Sequence, residues 1–156
     1  MILHYLDAMS NPAFSAVINL IRAHAMVEER LAGELAAVHG LAVNEAMLLM
    51  HLQRAPMSRL TRIDLARRLH LNPSTVTRMA APLEKSGLVT RQPDPRDARL
   101  AYVVLSDTGR TLIAEARATL ERKSADVFRD RWTADEVATL SMLMGRLTTG
   151  EIGELA

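Results

Sequence analysis

The chain has 156 residues, enough for one domain with a real core, and 49% are hydrophobic, which excludes a disordered polypeptide. Only 3% are aromatic while Leu, Ala and Met abound, so helices are favoured over a β-sandwich; the absence of cysteine excludes disulfides, thiolate metal sites and thiol redox sensing. The net charge of +1 hides an asymmetry: Arg54 to Arg110 holds 11 Lys/Arg against 5 Asp/Glu, whereas the remainder holds 8 against 13, so the centre of the chain suits a polyanion.

In chain order, Asn11-Pro12 opens a long helix over 13–39, where Val17, Leu20, Ile21, Val27, Leu31, Leu35 and Val38 recur at three-to-four spacing until Gly40 ends it. A second helix over about 43–54 is apolar on more than one side (Met47 to Met50, Leu52), predicts a central buried position, and stops at Pro56. Thr61, with Asp64 three residues on, caps a third helix. Its apolar face is Ile63, Leu65, Ala66 and Leu69, and Arg62, Arg67 and Arg68 point outward. Asn72 and Pro73 then start a fourth helix almost at once, closed by Gly87. Two β-prone stretches, 88–91 and 102–105, flank a Pro- and Asp-rich tip. Ser106 caps a long helix over about 107–129, and Thr133 with Glu136 caps a last one over about 133–149. No apolar run approaches the ~20 residues that span a bilayer, and no secretion signal is legible at the N-terminus. A cytoplasmic protein without membrane contact is therefore expected.

Two short helices joined by a tight turn and followed by a two-stranded hairpin form a winged helix-turn-helix. In the second of these helices Val76, Met79, Ala80 and Leu83 share one side and pack inward. Ser74, Thr75, Thr77 and Arg78 are left outward in the first turns, with no acid between Pro73 and Leu83. Small hydroxyls permit close approach to DNA, and arginine donates two hydrogen bonds to a guanine edge. In the tip QPDPRDAR, Arg96 lies between Asp94 and Asp97, with Arg99 beyond. A wing arginine suits a narrow minor groove, and the acids suit the tip if one of them hydrogen-bonds an arginine and fixes its guanidinium.

The segment LARRLHLNPSTVTRMAAPLEKSGLVTRQPDPRDARLAYVVLSDTGR resembles the core of the MarR (multiple-antibiotic-resistance regulator) family of bacterial transcription factors. The resemblance is carried by L-x-x-S-T-V-T-R, L-E-x-x-G-L-V and D-x-R-D-x-R at this spacing. It is close over 60–110 and looser over nearly the whole chain. It implies a mainly α fold with a small β-wing (α+β). By the same resemblance, residues 1–40 are expected to be an N-terminal dimerisation helix, 41–106 the DNA-binding domain, and 107–156 the C-terminal dimerisation helices. It further implies a homodimer on a pseudo-palindromic double-stranded DNA operator, repressing its own or neighbouring genes. Ser74, Thr75, Thr77 and Arg78 fall on the recognition helix of the major groove. Arg96 falls on the minor-groove arginine, and Asp94, Asp97 and Arg99 on its supporting motif. A small effector, often phenolic or anionic, releases many such proteins from DNA.

Two residues depart from the family pattern. Pro82 lies inside the recognition helix, where it predicts a kink or a shifted helix end, and Ala42 replaces a capping Thr or Ser, which predicts a less firm start to the second helix. No nucleophile motif, phosphate-binding glycine loop or metal-spaced ligand set is present, so neither an enzyme, a cofactor nor a metal centre is expected. His24, His39 and His51, and Met26, Met47 and Met50, read as packed or surface residues ahead of pocket linings. The alternative function is a winged-helix protein-interaction module without DNA binding. Such modules usually carry apolar or acidic residues on the helix face, unlike Ser74 to Arg78.

Overall fold

The computed structural model describes residues 11–97 and 100–148. Helix α1 (Pro12–His39) leads into α2 (Val43–Arg54), strand β1 (Arg59–Thr61), α3 (Arg62–Leu69) and α4 (Pro73–Lys85). The hairpin β2 (Val89–Pro93) and β3 (Ala101–Leu105) follows, then α5 (Asp107–Phe128) and α6 (Ala134–Thr148). The three strands form an antiparallel sheet in the order β1-β3-β2. The fold is mainly α with a small β-wing, as expected, but the wing has a third strand that the sequence reading lacks. Leu60 faces Val103 in its register. Both are buried, so this strand closes the sheet over the core.

The core is centred on α2, whose Ala46, Leu48, Leu49, His51 and Leu52 are all buried. Around it lie Leu35 and Leu41, Leu65 and Ala66 of α3, Val76 and Leu83 of α4, Val103 and Leu105 of β3, and Ile113 and Ala116 of α5. Ile63 corrects the expected apolar face of α3. It is 56% exposed, because it lies about 200° around the helix from the fully buried Leu65, at roughly 100° per residue.

Local caps account for most of the boundaries. The Thr61 hydroxyl accepts from the Asp64 N–H at 3.1 Å, the Ser106 hydroxyl from the Gly109 N–H at 3.0 Å, and the Thr133 hydroxyl from the Glu136 N–H at 3.3 Å. The Glu136 carboxylate accepts in return from the Thr133 N–H at 2.8 Å, completing a capping box. Ala42 has no capping oxygen, yet its N–H donates to the Glu45 carboxylate at 2.8 Å, so half of that device fixes the start of α2. Helix α4 is one uninterrupted element through Pro82, and the Ser86 N–H closes its last turn on the Pro82 carbonyl at 3.0 Å.

Helices α1 and α6 are built differently from the centre. Only Leu35 of α1 is buried, and no residue of α6 is. Phe14, Val17, Ile21, Met142 and Leu147 each expose more than half of their surface. The C-terminal half of α1 is tied to α5: His39 Nε2 lies 2.9 Å from the Thr119 hydroxyl, and Glu34 is paired with Arg122 and Lys123.

Candidate nucleic-acid interface

Helix α4 is set by its cap and by its buried side. The Asn72 side-chain oxygen accepts from the Thr75 N–H at 2.8 Å and from the Ser74 hydroxyl at 2.6 Å. Burial of Val76, Ala80 and Leu83 fixes the rotation of the helix. Ser74, Thr77 and Arg78 are then exposed and Thr75 half-buried, along one face, as predicted. The turn before the helix is short because His70 takes a left-handed conformation (φ 52°) and Leu71 N–H returns to the Ala66 carbonyl at 2.9 Å.

The hydroxyl protons of Ser74 and Thr77 on this face are already committed. Thr77 donates to the Pro73 carbonyl at 2.9 Å and accepts from Arg62 Nη1 at 3.2 Å. Ser74 donates to Asn72, and Arg78 Nη2 lies 3.4 Å from the Thr75 hydroxyl oxygen. What the face offers outward is therefore oxygen lone pairs, the threonine methyls, the Thr75 hydroxyl proton and the unused donors of two arginines. Arg62 is the residue that sequence reasoning missed. It is only one of three outward cations of α3 in the linear pattern, and nothing there signals its reach to α4.

At the wing, Asp94 N–H donates to the Leu100 carbonyl at 3.0 Å, and Leu100 N–H to the Asp97 carbonyl at 2.9 Å, closing the tip. Asp94 Oδ1 accepts from the backbone N–H of Arg96 at 2.7 Å and of Asp97 at 3.1 Å, while Oδ2 accepts from the Tyr102 hydroxyl at 3.0 Å. The Arg96 N–H and then the Tyr102 hydroxyl hold this carboxyl below its ordinary pKa, and the same bond raises the pKa of Tyr102. The expected carboxylate–guanidinium brace is thus corrected for Asp94. It grips the backbone at Arg96, because an Asp at the entry of a tight turn reaches the amides two and three residues on. The Arg96 side chain is exposed. Arg99 lies outside the described residues.

Between α4 and the sheet is a cleft of about 110 Å³, lined among others by Arg62, Thr77, Glu84, Arg91 and Tyr102. It joins the exposed face of α4 to the base of the wing. The histidines and methionines singled out in the sequence do not converge on it. His24 is on the surface beside Glu28, His51 is in the core, Met26 is exposed, and Met50 packs against the core. Among the described residues no single helix is both long and apolar enough to cross a membrane; α1 and α2 meet both conditions only together, across a 74° bend.

Residues 41–100 match the MarR family model. An uncharacterised HTH-type transcriptional regulator of Mycobacterium bovis, Mb0904, is 35% identical over 77 residues, 49% of this chain and 48% of its own length. The chain thus matches about half the length of that relative. Sco3205, a MarR family transcriptional regulator of Streptomyces coelicolor solved in complex with DNA, superposes with a TM-score of 0.79 at 23% identity, over 94% of this chain and 95% of that one. A mutant MarR of E. coli complexed with operator DNA superposes with a TM-score of 0.71 at 26% identity, over 88% and 99%. These relatives are transcriptional regulators by description, in keeping with the expectation that the chain is not an enzyme. With a winged helix-turn-helix centred on the matched segment, a capped helix α4 and the D-x-R-D wing, the chain resembles MarR family regulators in that segment and shares their fold.

Proposed function

We propose that the protein is a homodimeric, sequence-specific DNA-binding transcriptional regulator, acting as a ligand-responsive repressor of its own or neighbouring genes. The observation that carries this reading is the exposed start of α4. Ser74, Thr77 and Arg78 lie on a face without acids until Glu84, with the Arg62 guanidinium added beside them. In the proposed complex this face enters the major groove, where Arg78 reads a base edge and the threonine methyls and hydroxyl oxygens contact bases or phosphates. Arg96 enters the flanking minor groove, with Asp94, Asp97 and Arg99 supporting the wing.

The dimer is supported by the apolar residues that α1 and α6 leave uncovered, Phe14, Val17, Ile21, Met142 and Leu147 among them. An isologous pair would present two α4 helices to a pseudo-palindromic operator. For the effector, a phenolic or anionic compound matches the charge of the cleft between α4 and the sheet, where Arg62 and Arg91 face one acid, Glu84. Occupying that cleft would compete with the DNA-facing arrangement of Arg62 and Thr77.

Selection from a pool of random duplexes tests the reading. The expected product is a palindrome with half-sites about one helical turn apart, roughly 10 base pairs. Recovery of no consensus would point instead to a winged-helix protein-interaction module.

A further inference from the structure

The outer face of the wing sheet carries a chain of contacts that ends at the backbone of Arg96. In the register of the strands, Gln92 faces Tyr102, and Arg59 faces the next outward residue, Val104. The Arg59 guanidinium lies over the Tyr102 ring, 4.4 Å from its centroid, and its Nη1 donates to the Gln92 side-chain oxygen at 3.2 Å. The Tyr102 hydroxyl donates to Asp94, and the other oxygen of that carboxylate holds the Arg96 and Asp97 amides. Every link joins a different part of the wing: Arg59 comes from β1, Gln92 from β2, Tyr102 from β3 and Asp94 from the tip. A two-stranded hairpin could not supply Arg59, so the third strand gives the tip a support that reaches back to the start of α3.

We propose that Tyr102 and Arg59 are positioning residues for the wing: the cation fixes the ring, the ring's hydroxyl fixes the Asp94 carboxylate, and the carboxylate fixes the backbone from which Arg96 projects. The inference rests on the DNA-binding reading for its purpose, but not for its existence. Cation–π contact and a charge-assisted hydrogen bond are modest at a surface, so the network sets direction more than it sets stability. Its value lies in restricting a tip that would otherwise sample many directions before reaching a groove.

Tyr102→Phe deletes only the hydroxyl and keeps the ring under Arg59, so the fold is retained. Two measurements on the full chain separate the brace from its purpose. In the absence of DNA, an NMR titration of the Asp94 carboxyl in Tyr102→Phe is expected to move to higher pH than in the wild type, because a donor to the charged form is gone. Coincident curves would overturn the brace. On a duplex selected by the wild-type protein, Tyr102→Phe is expected to weaken binding about three- to tenfold, and to have no further effect in an Arg96→Ala background. Arg59→Ala is expected to behave alike. An undiminished Tyr102→Phe effect in the absence of the Arg96 side chain would overturn positioning through Arg96. If the wild-type protein selects no duplex, the DNA-binding reading and the brace's purpose fail together, while the titration still decides whether the brace exists.

Discussion

The Arg62 guanidinium donates to the Thr77 hydroxyl at 3.2 Å, which ties the first turn of α3 to the exposed face of α4. The contact is solvent-exposed, so its effect on folding is small, under about 1 kcal/mol. Its removal is expected to matter at the proposed DNA interface. Arg62→Ala is expected to lower operator affinity about tenfold and to reduce the slope of log K against log salt by about one, with the thermal midpoint unchanged within roughly 2 °C. Fluorescence anisotropy at several salt concentrations checks both.

Arg78 on α4 and Arg96 at the wing tip sit on different parts of the proposed interface and should fail differently. Arg78→Ala is expected to cost about 1–3 kcal/mol on the preferred duplex and to relax the preference at one base pair of each half-site. Arg96→Ala is expected to weaken binding without changing the core consensus, and to erase any preference for A·T-rich flanks. Repeating the selection with each variant distinguishes the two.

Gly109 is held against the turn that follows α4. A Cβ built there would lie 2.1 Å from the Leu88 carbonyl oxygen and 2.8 Å from Leu105 Cδ1. The Ser106 hydroxyl also reaches the Gly87 and Leu88 carbonyls at 2.6 and 2.9 Å, so the start of α5 has no room to retreat. Gly109→Ala is expected to destabilise the fold by about 1–3 kcal/mol in urea unfolding. Gly33, inside α1 with nothing within 4 Å, is the control: Gly33→Ala is expected to stabilise by roughly 0.5–1 kcal/mol.

His51 makes stability depend on acid. It is 2% exposed, and burial first, then Arg68 and Arg54, lower its pKa from 6.5 to about 4. The unfolded chain therefore binds a proton that the native state refuses. Stability is full above pH 6.5 and falls as the pH drops to about 4, by at most about 3 kcal/mol. Urea midpoints should decline across that interval in the wild type and decline less in His51→Gln.

The uncovered apolar faces of α1 and α6 predict a further outcome. Paired Val17→Asp and Leu147→Asp substitutions, at positions 54% and 69% exposed in the single chain, should yield monomers in sedimentation velocity. Operator affinity should fall at least about tenfold, since two half-sites no longer bind as one unit.

Much of this was legible because caps and periodicity are local. Thr61, Asn72, Ser106 and Thr133 each stand at a helix start and accept from the amide expected of them. The acid-free face of α4 follows from the same periodicity. What escaped depends on contacts distant in sequence. Strand β1 is three residues long and follows a 3₁₀ turn in which Met57 and Ser58 take positive φ, so it has no alternation to read. Arg62 looks like its neighbours Arg67 and Arg68 until α4 is placed beside it. Asp94 invited pairing with a guanidinium group, yet an Asp at a turn entry finds backbone amides first, and Tyr102 supplies its remaining partner only once β3 is in register.

The most direct test of the central claim compares the affinity of the wild-type protein for its own upstream region with its affinity for a random duplex of equal length, from about 50 to 200 mM salt. A sequence-specific regulator is predicted to prefer its own region by at least about 10³-fold, with both affinities falling steeply as salt rises. Equal and feeble affinity for the two duplexes at every salt concentration would contradict it.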